Sequence, residues 1–193
     1  MQSPLARRAV QTIVREHQQL SAVVNGMTRF VESLSAGAHP PEPMLMRAML
    51  YYIREYPEQV HHPKEDKYLF ARLRSRTDDL DDVIDELEAQ HVAGEARVRD
   101  LERALTRYEL SGYAAVPALR TLVDEYAVFY RNHRRLEEEV ILPAALRFLT
   151  AADWMELDEA FGANRDPFSG SEIEGEMERL FSLIVSTVSE SIQ

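Results

Sequence analysis

The chain has 193 residues, 45% of them hydrophobic, a formal net charge of −11 and no cysteine. That length and composition suit one substantial core, and the acidic balance weighs against nucleic acid or membrane as a partner. Lack of cysteine excludes disulfides, zinc fingers, iron–sulfur clusters and thiol nucleophiles. With no signal-like N-terminus and no apolar run that could span a bilayer, a cytoplasmic location is expected.

Ser3-Pro4 predicts the start of a first helix, a hydroxyl cap followed by proline, running to about Leu34. His17 lies in its apolar stripe with Val10, Ile13, Leu20, Val24 and Val31. A loop rich in proline and small residues, Ser35 to Pro43, separates it from a second helix over Met44 to Arg74. Pro57 and Pro63 fall inside that second helix and predict a kink beside His61. Thr77 or Asp78 caps a third helix, about Asp79 to Glu109, which carries His91 and is broken by Ser111-Gly112. The fourth helix, about Ala114 to Leu149, carries His133. Thr150 to Asp153 reads as a capping box for a short helix ending near Phe161. After a linker, Gly162 to Ser171, a longer amphipathic helix carries Ile173, Met177, Leu180 and Ile184. No strand-like alternation occurs. The expected fold is all-α: an up-down-up-down antiparallel four-helix bundle over 1–150, with one short and one longer additional C-terminal helix in 151–193. That extension packs on the bundle or on a partner, which makes it a candidate homodimer contact.

The chemistry sits in two copies of one spacing, His61-x-x-x-Glu65 and His133-x-x-x-Glu137. Residues four apart share a helix face, so each pair can aim a nitrogen and an oxygen at one point. That donor mixture suits iron, zinc or manganese rather than calcium or magnesium. His17 and His91 join them by height. In antiparallel neighbours, residues equally far from a shared turn lie level. His17 is roughly 17 residues before the first turn and His61 roughly 17 after its start, and the other two turns balance to within about one residue. Four level histidines with two carboxylates are hard to explain as packing, since buried polar groups are costly without partners.

Glu95 repeats the spacing from His91 and is a further candidate ligand; Gly94 beside it leaves room for a small ligand or a close helix. His62 and Asp66 are rotated off the face and read as surface residues, His39 as a bystander, and Tyr126 and Tyr130 as core aromatics. A ferritin-like di-iron scheme would use Glu58-x-x-His61 and Glu88-x-x-His91. It leaves His17 and His133 idle, so the nitrogen-rich scheme is preferred.

REH at Arg15 to His17, HHPKED at His61 to Asp66, EAQHVAGE around His91 and NHRRLEEEVILP at Asn132 to Pro143 resemble the hemerythrin-like family of HHE cation-binding domains. The resemblance covers about the first 150 residues. It implies a four-helix bundle around two non-haem irons (Fe2+/Fe3+), with an oxo or hydroxo bridge. His17, His61, His91 and His133 would then be terminal ligands, and Glu65 and Glu137 bridging carboxylates. Oxygen-carrying hemerythrins have a second histidine where this chain has Glu95, and an aspartate where it has Glu138. Those departures weigh against reversible oxygen carriage. They place the chain among members that bind or sense O2 or a related small oxidant, or handle iron. The alternatives are a di-iron oxidoreductase consuming peroxide or nitric oxide, and a structural bundle with incidental metal. The cysteine-bearing segment of members that repair iron centres has no counterpart here, which weighs against that role.

Overall fold

A computed structural model describes residues 3–36 and 42–162, and all regular structure among them is helical. α1 (Pro4–Ser35) starts as expected in position but not in mechanism. The Ser3 hydroxyl makes no capping bond; its carbonyl accepts from the Arg7 N–H at 3.1 Å. Proline's fixed φ at the first helical position sets the start.

The second rod, residues 43–74, is continuous but unevenly wound. It runs through α2 (Pro43–Ile53), a π-helical stretch (Arg54–His61), the single turn α3 (His62–Lys64), a second π-helical stretch (Glu65–Phe70) and α4 (Ala71–Arg74). Pro57 and Pro63 account for the widening of the first stretch. A proline deprives the carbonyl four residues earlier of its donor, and that carbonyl can accept from the amide five residues ahead instead, which is the π pattern. Wider turns step through a smaller angle per residue, so residues adjacent in sequence come to share a face.

α5 (Asp81–Ser111) begins two residues later than expected. The Thr77 hydroxyl accepts from the Asp79 N–H at 3.2 Å ahead of the helix, while Asp81 and Asp82 fill the first turn, where negative charge is favoured. It ends at Gly112, whose φ of 63° is a conformation that suits glycine alone. A 3-10 turn, Gly112–Ala115, leads into α6 (Val116–Leu136), a π-helical stretch (Glu137–Ile141) and α7 (Leu142–Phe148), where Pro143 repeats the same cause.

α1 and α5 each pack on both α2 and α6, which closes a four-sided bundle. The apolar core is divided in two. One half gathers Leu20, Met27, Ile53, Val98 and Tyr130, and the other Ile13, Leu69, Leu87, Ile141 and Trp154. On every rod the boundary falls at the histidine level, so a polar layer crosses the bundle. No helix among the described residues is long and apolar enough to cross a membrane.

α8 (Ala151–Gly162) lies across α1 and buries Trp154, Leu157 and Phe161 in the second half-core. Its start is the expected reciprocal cap: the Thr150 N–H donates to Asp153 Oδ2 at 2.8 Å, and the Asp153 N–H to Thr150 Oγ1 at 3.3 Å. The linker beyond Gly162, the longer last helix with its candidate dimer contact, and His39 lie outside the described residues.

Arg76 grips the buried Asp153 through two bonds of 2.9 Å and holds its carboxyl well below the ordinary range. A depressed carboxyl contributes stability above the unfolded value of about 3.9 and loses it as pH falls through the folded one. Asp153→Ala should therefore cost about 1–2 kcal/mol at pH 7, or roughly 2–8 °C in Tm. The deficit should shrink below about pH 4. Equal melting temperatures at pH 7 would show that the clamp contributes nothing.

Candidate metal centre

The layer is built by all four rods. His17 comes from α1, His61 and Glu65 from the wide turns of the second rod, His91 from α5, and His133 and Glu137 from α6 and the π turn after it. All six are buried, with Glu65 at 0% and Glu137 at 1% exposure. Glu65 Oε1 lies 3.2 Å from His61 Nε2 and 3.7 Å from His17 Nε2, and its Oε2 lies 3.7 Å from His91 Nε2. Glu137 divides its oxygens in the same way: Oε2 is 3.2 Å from His17 Nε2, while Oε1 is 3.4 Å from His133 Nε2 and 3.9 Å from His91 Nε2. None of these four Nε2 atoms or four carboxylate oxygens has a hydrogen-bond partner. They converge on shared points rather than on one another. Each unpaired buried polar atom costs on the order of 1–3 kcal/mol, and cations between them would remove that cost.

Behind the layer, the four Nδ1 atoms are all engaged. Glu138 meets His17 at 3.1 Å, Glu16 meets His61 at 2.6 Å, Asp66 meets His91 at 2.7 Å, and Gln90 meets His133 at 3.0 Å. Each acceptor adjoins a layer residue of its own helix and serves the histidine of the next. First rod to second, second to third, third to fourth and fourth to first, the contacts close a ring. Such outer contacts fix a ligand's tautomer and aim.

Two expectations about the site are corrected. Glu95 is exposed, at 50%, and pairs with Arg99 on its own helix, so it stands outside the layer. His62 is buried and stacks on His91, with centroids 4.2 Å apart and planes 10° apart. The wide turns around Pro57 and Pro63 bring it inward beside His61, where regular α-helical spacing would turn it away. Asp66 is partly exposed, in line with its surface reading, and also holds His91. Tyr126 and Tyr130 are buried core aromatics, and the Tyr130 hydroxyl donates to the His17 carbonyl at 2.8 Å. Of the ferritin-like pair, Glu88 is bound to Arg74 near the surface, whereas Glu58 is buried. Two groups place ligand atoms within 4.8 Å of one another: His62, Glu65, His91 and His133, and His17, His61 and Glu65.

The model of the hemerythrin HHE cation binding domain matches residues 8–145. The chain belongs to that family. No curated protein matches it significantly. The hemerythrin-like domain thus carries buried histidine–glutamate clusters suited to a metal site.

Two supporting residues of this hemerythrin-like layer, Glu16 and Gln90, are not marked by spacing within their own helices. Their signal is position, since each directly precedes a level histidine.

The charges are mutually dependent. Burial and the opposing carboxylate both push Glu65 up, yet the imidazoles outweigh them and hold it down at about 2; Glu137 is likewise held well below the ordinary range. Burial works against protonation of His61 and His91. Glu65 and Glu16 nevertheless raise His61 to about 9, and Asp66 with the central carboxylates raises His91 to about 10. His133, backed by an uncharged amide, follows burial down to about 4.

A histidine with a raised pKa contributes stability below its unfolded value of about 6.5 and loses it as pH climbs through the folded value. His133 acts in the opposite sense, but only below about 6.5. Metal-free protein should accordingly melt at progressively lower temperature between pH 7 and 10, measured by circular dichroism with chelator present. A flat or rising melting temperature across that range would contradict these protonation states.

Proposed function

We propose that this hemerythrin-like protein holds two non-haem irons and binds or senses O2 or a related small oxidant such as peroxide or nitric oxide. The observation that carries the reading is the way Glu65 and Glu137 split their oxygens between two histidine groups. His17 and His61 would hold one ion, and His62, His91 and His133 the other. Glu65 and Glu137 would each offer one oxygen to either side. The donor set is five imidazoles and two carboxylates, with His62 in the place that sequence spacing assigned to Glu95. Nitrogen and oxygen donors without sulfur suit iron, and equally zinc or manganese.

When bound, an iron pair supplies electrons by passing from Fe(II) to Fe(III). The protein's own part is orientation and exclusion. The ring of acceptors aims the imidazoles, and the two half-cores keep bulk water from the layer. A cavity with room for about one water molecule adjoins His17 and His61 and is walled by Leu20, Tyr56, Pro57 and Tyr130. His62 and His133 line it as well, so it reaches both histidine groups, and a small molecule held there would lie beside the bound ions. This position favours binding or sensing over a purely structural role.

Protein loaded anaerobically with Fe(II) should hold close to two irons per chain. His62→Ala should reduce this toward one and shift the optical bands of the oxidised form. Glu95→Gln should match wild type in both. A wild type that takes up no metal would sink the reading, and a His62→Ala variant with two irons and an unchanged spectrum would remove His62 from the set.

A further inference from the structure

The ring of acceptors serves four histidines. His62 is a fifth imidazole in the layer, and what lies behind it differs. Its nearest carboxylate is Glu58, one turn earlier on the same rod, with Oε2 at 3.5 Å from His62 Nδ1. The pair is not closed: neither His62 Nδ1 nor Glu58 Oε1 has a hydrogen-bond partner, and both atoms are buried. An unpartnered ring nitrogen and an unpartnered carboxylate oxygen inside a core are costly as they stand. A movement of roughly half an ångström would make the contact a hydrogen bond.

A third residue belongs to this arrangement. Gly94 of α5 lies against Glu58, and a Cβ there would come within 3.0 Å of Glu58 Oε1 and 3.6 Å of Oε2. Glycine inside a 31-residue helix is unfavourable. Its place is explained by the carboxylate that occupies the space a methyl would need. Gly94 follows His91 by three, so the same face of α5 supplies one ligand and the room for another ligand's support.

We infer that Glu58 is a positioning residue for His62, seated by Gly94, and that it sets the affinity of one of the two metal positions. This rests on the two-metal reading above. Glu58 accepts the Nδ1 proton of His62 and so leaves the other ring nitrogen as the donor, the division seen at the other four histidines. Unlike theirs, this support comes from the histidine's own rod, and it tightens as His62 is drawn into coordination.

Anaerobic Co(II) titration, followed in the visible spectrum and by native mass spectrometry of the full chain, tests this. Wild type should take up two Co(II). In Glu58→Ala one of the two positions should weaken by about 10–100-fold while the other is unchanged. Metal-free Glu58→Ala should melt no lower than wild type, because an unpartnered buried carboxylate has been removed. Gly94→Ala should weaken the same position, and Glu58→Asp in that background, with one methylene less, should restore it. If Glu58→Ala lowers the melting temperature of the metal-free protein and leaves both Co(II) affinities intact, Glu58 is merely structural and the inference fails. Failure of the double variant to recover affinity would equally remove Gly94 from it. If wild type binds no Co(II), the two-metal reading itself is what fails.

Discussion

Two carboxylates, Glu65 and Glu137, lie fully inside the bundle without a hydrogen bond between them and any other group. Isolated ionised carboxylates in such a place cost several kcal/mol each, and most of the architecture near them serves to offset that cost. The surrounding imidazoles supply positive charge when no cation is present, which is why His61 and His91 are held protonated well above the ordinary range. Cations would take over that duty and release the protons, so metal and protons compete for the same layer. The apolar halves above and below make the competition sharp, because little water can screen it.

The ring of Nδ1 contacts explains how four separate rods agree on one geometry. Glu16, Asp66, Gln90 and Glu138 each sit beside a layer residue on their own helix and reach the neighbouring one. Rotating any rod would misplace both its own ligand and its neighbour's support. Helix packing alone leaves rotation loosely specified, with angular scatter of about 15–20° in crossing geometry. The π-helical turns belong to the same requirement. They occur where the HxxxE pairs project inward, and prolines lie in the sequence around each pair.

The fold and the level of the layer were legible in the sequence because they depend on lengths and periodicity. His17, His61, His91 and His133 could be brought to one height by counting from turns, and Glu65 and Glu137 by their spacing. What could not be read depends on departures from regular winding. His62 was placed on the surface because 100° per residue carries it there, and only the widened turns reverse that. Glu95 shares its helix face by spacing with His91, yet α5 is rotated so that its next inward residue is Gly94. Spacing within one helix says which residues go together, but not which of them meets another rod. The cross-helix acceptors were hidden for the same reason. Their identity is written beside the ligands, and their function is visible only across the gap between helices.

The two sides of the layer are chemically unequal. On one side, His17 and His61 are both backed by carboxylates from other rods. On the other, three imidazoles crowd together, one backed by an amide and one by an unengaged carboxylate. The two-imidazole side is also the one that α8 approaches. Phe161 stands edge-on to His61 with centroids 6.1 Å apart, and Lys64, between His62 and Glu65, donates to the Ala160 carbonyl at 2.8 Å. α8 lies beyond the residues matched by the family model, which end at 145. The four-helix unit therefore carries the candidate ligands, while a segment outside it packs against His61. Packing by an appended helix can differ between proteins that share the same donors, so the surroundings of His61 are set separately from the donor set itself.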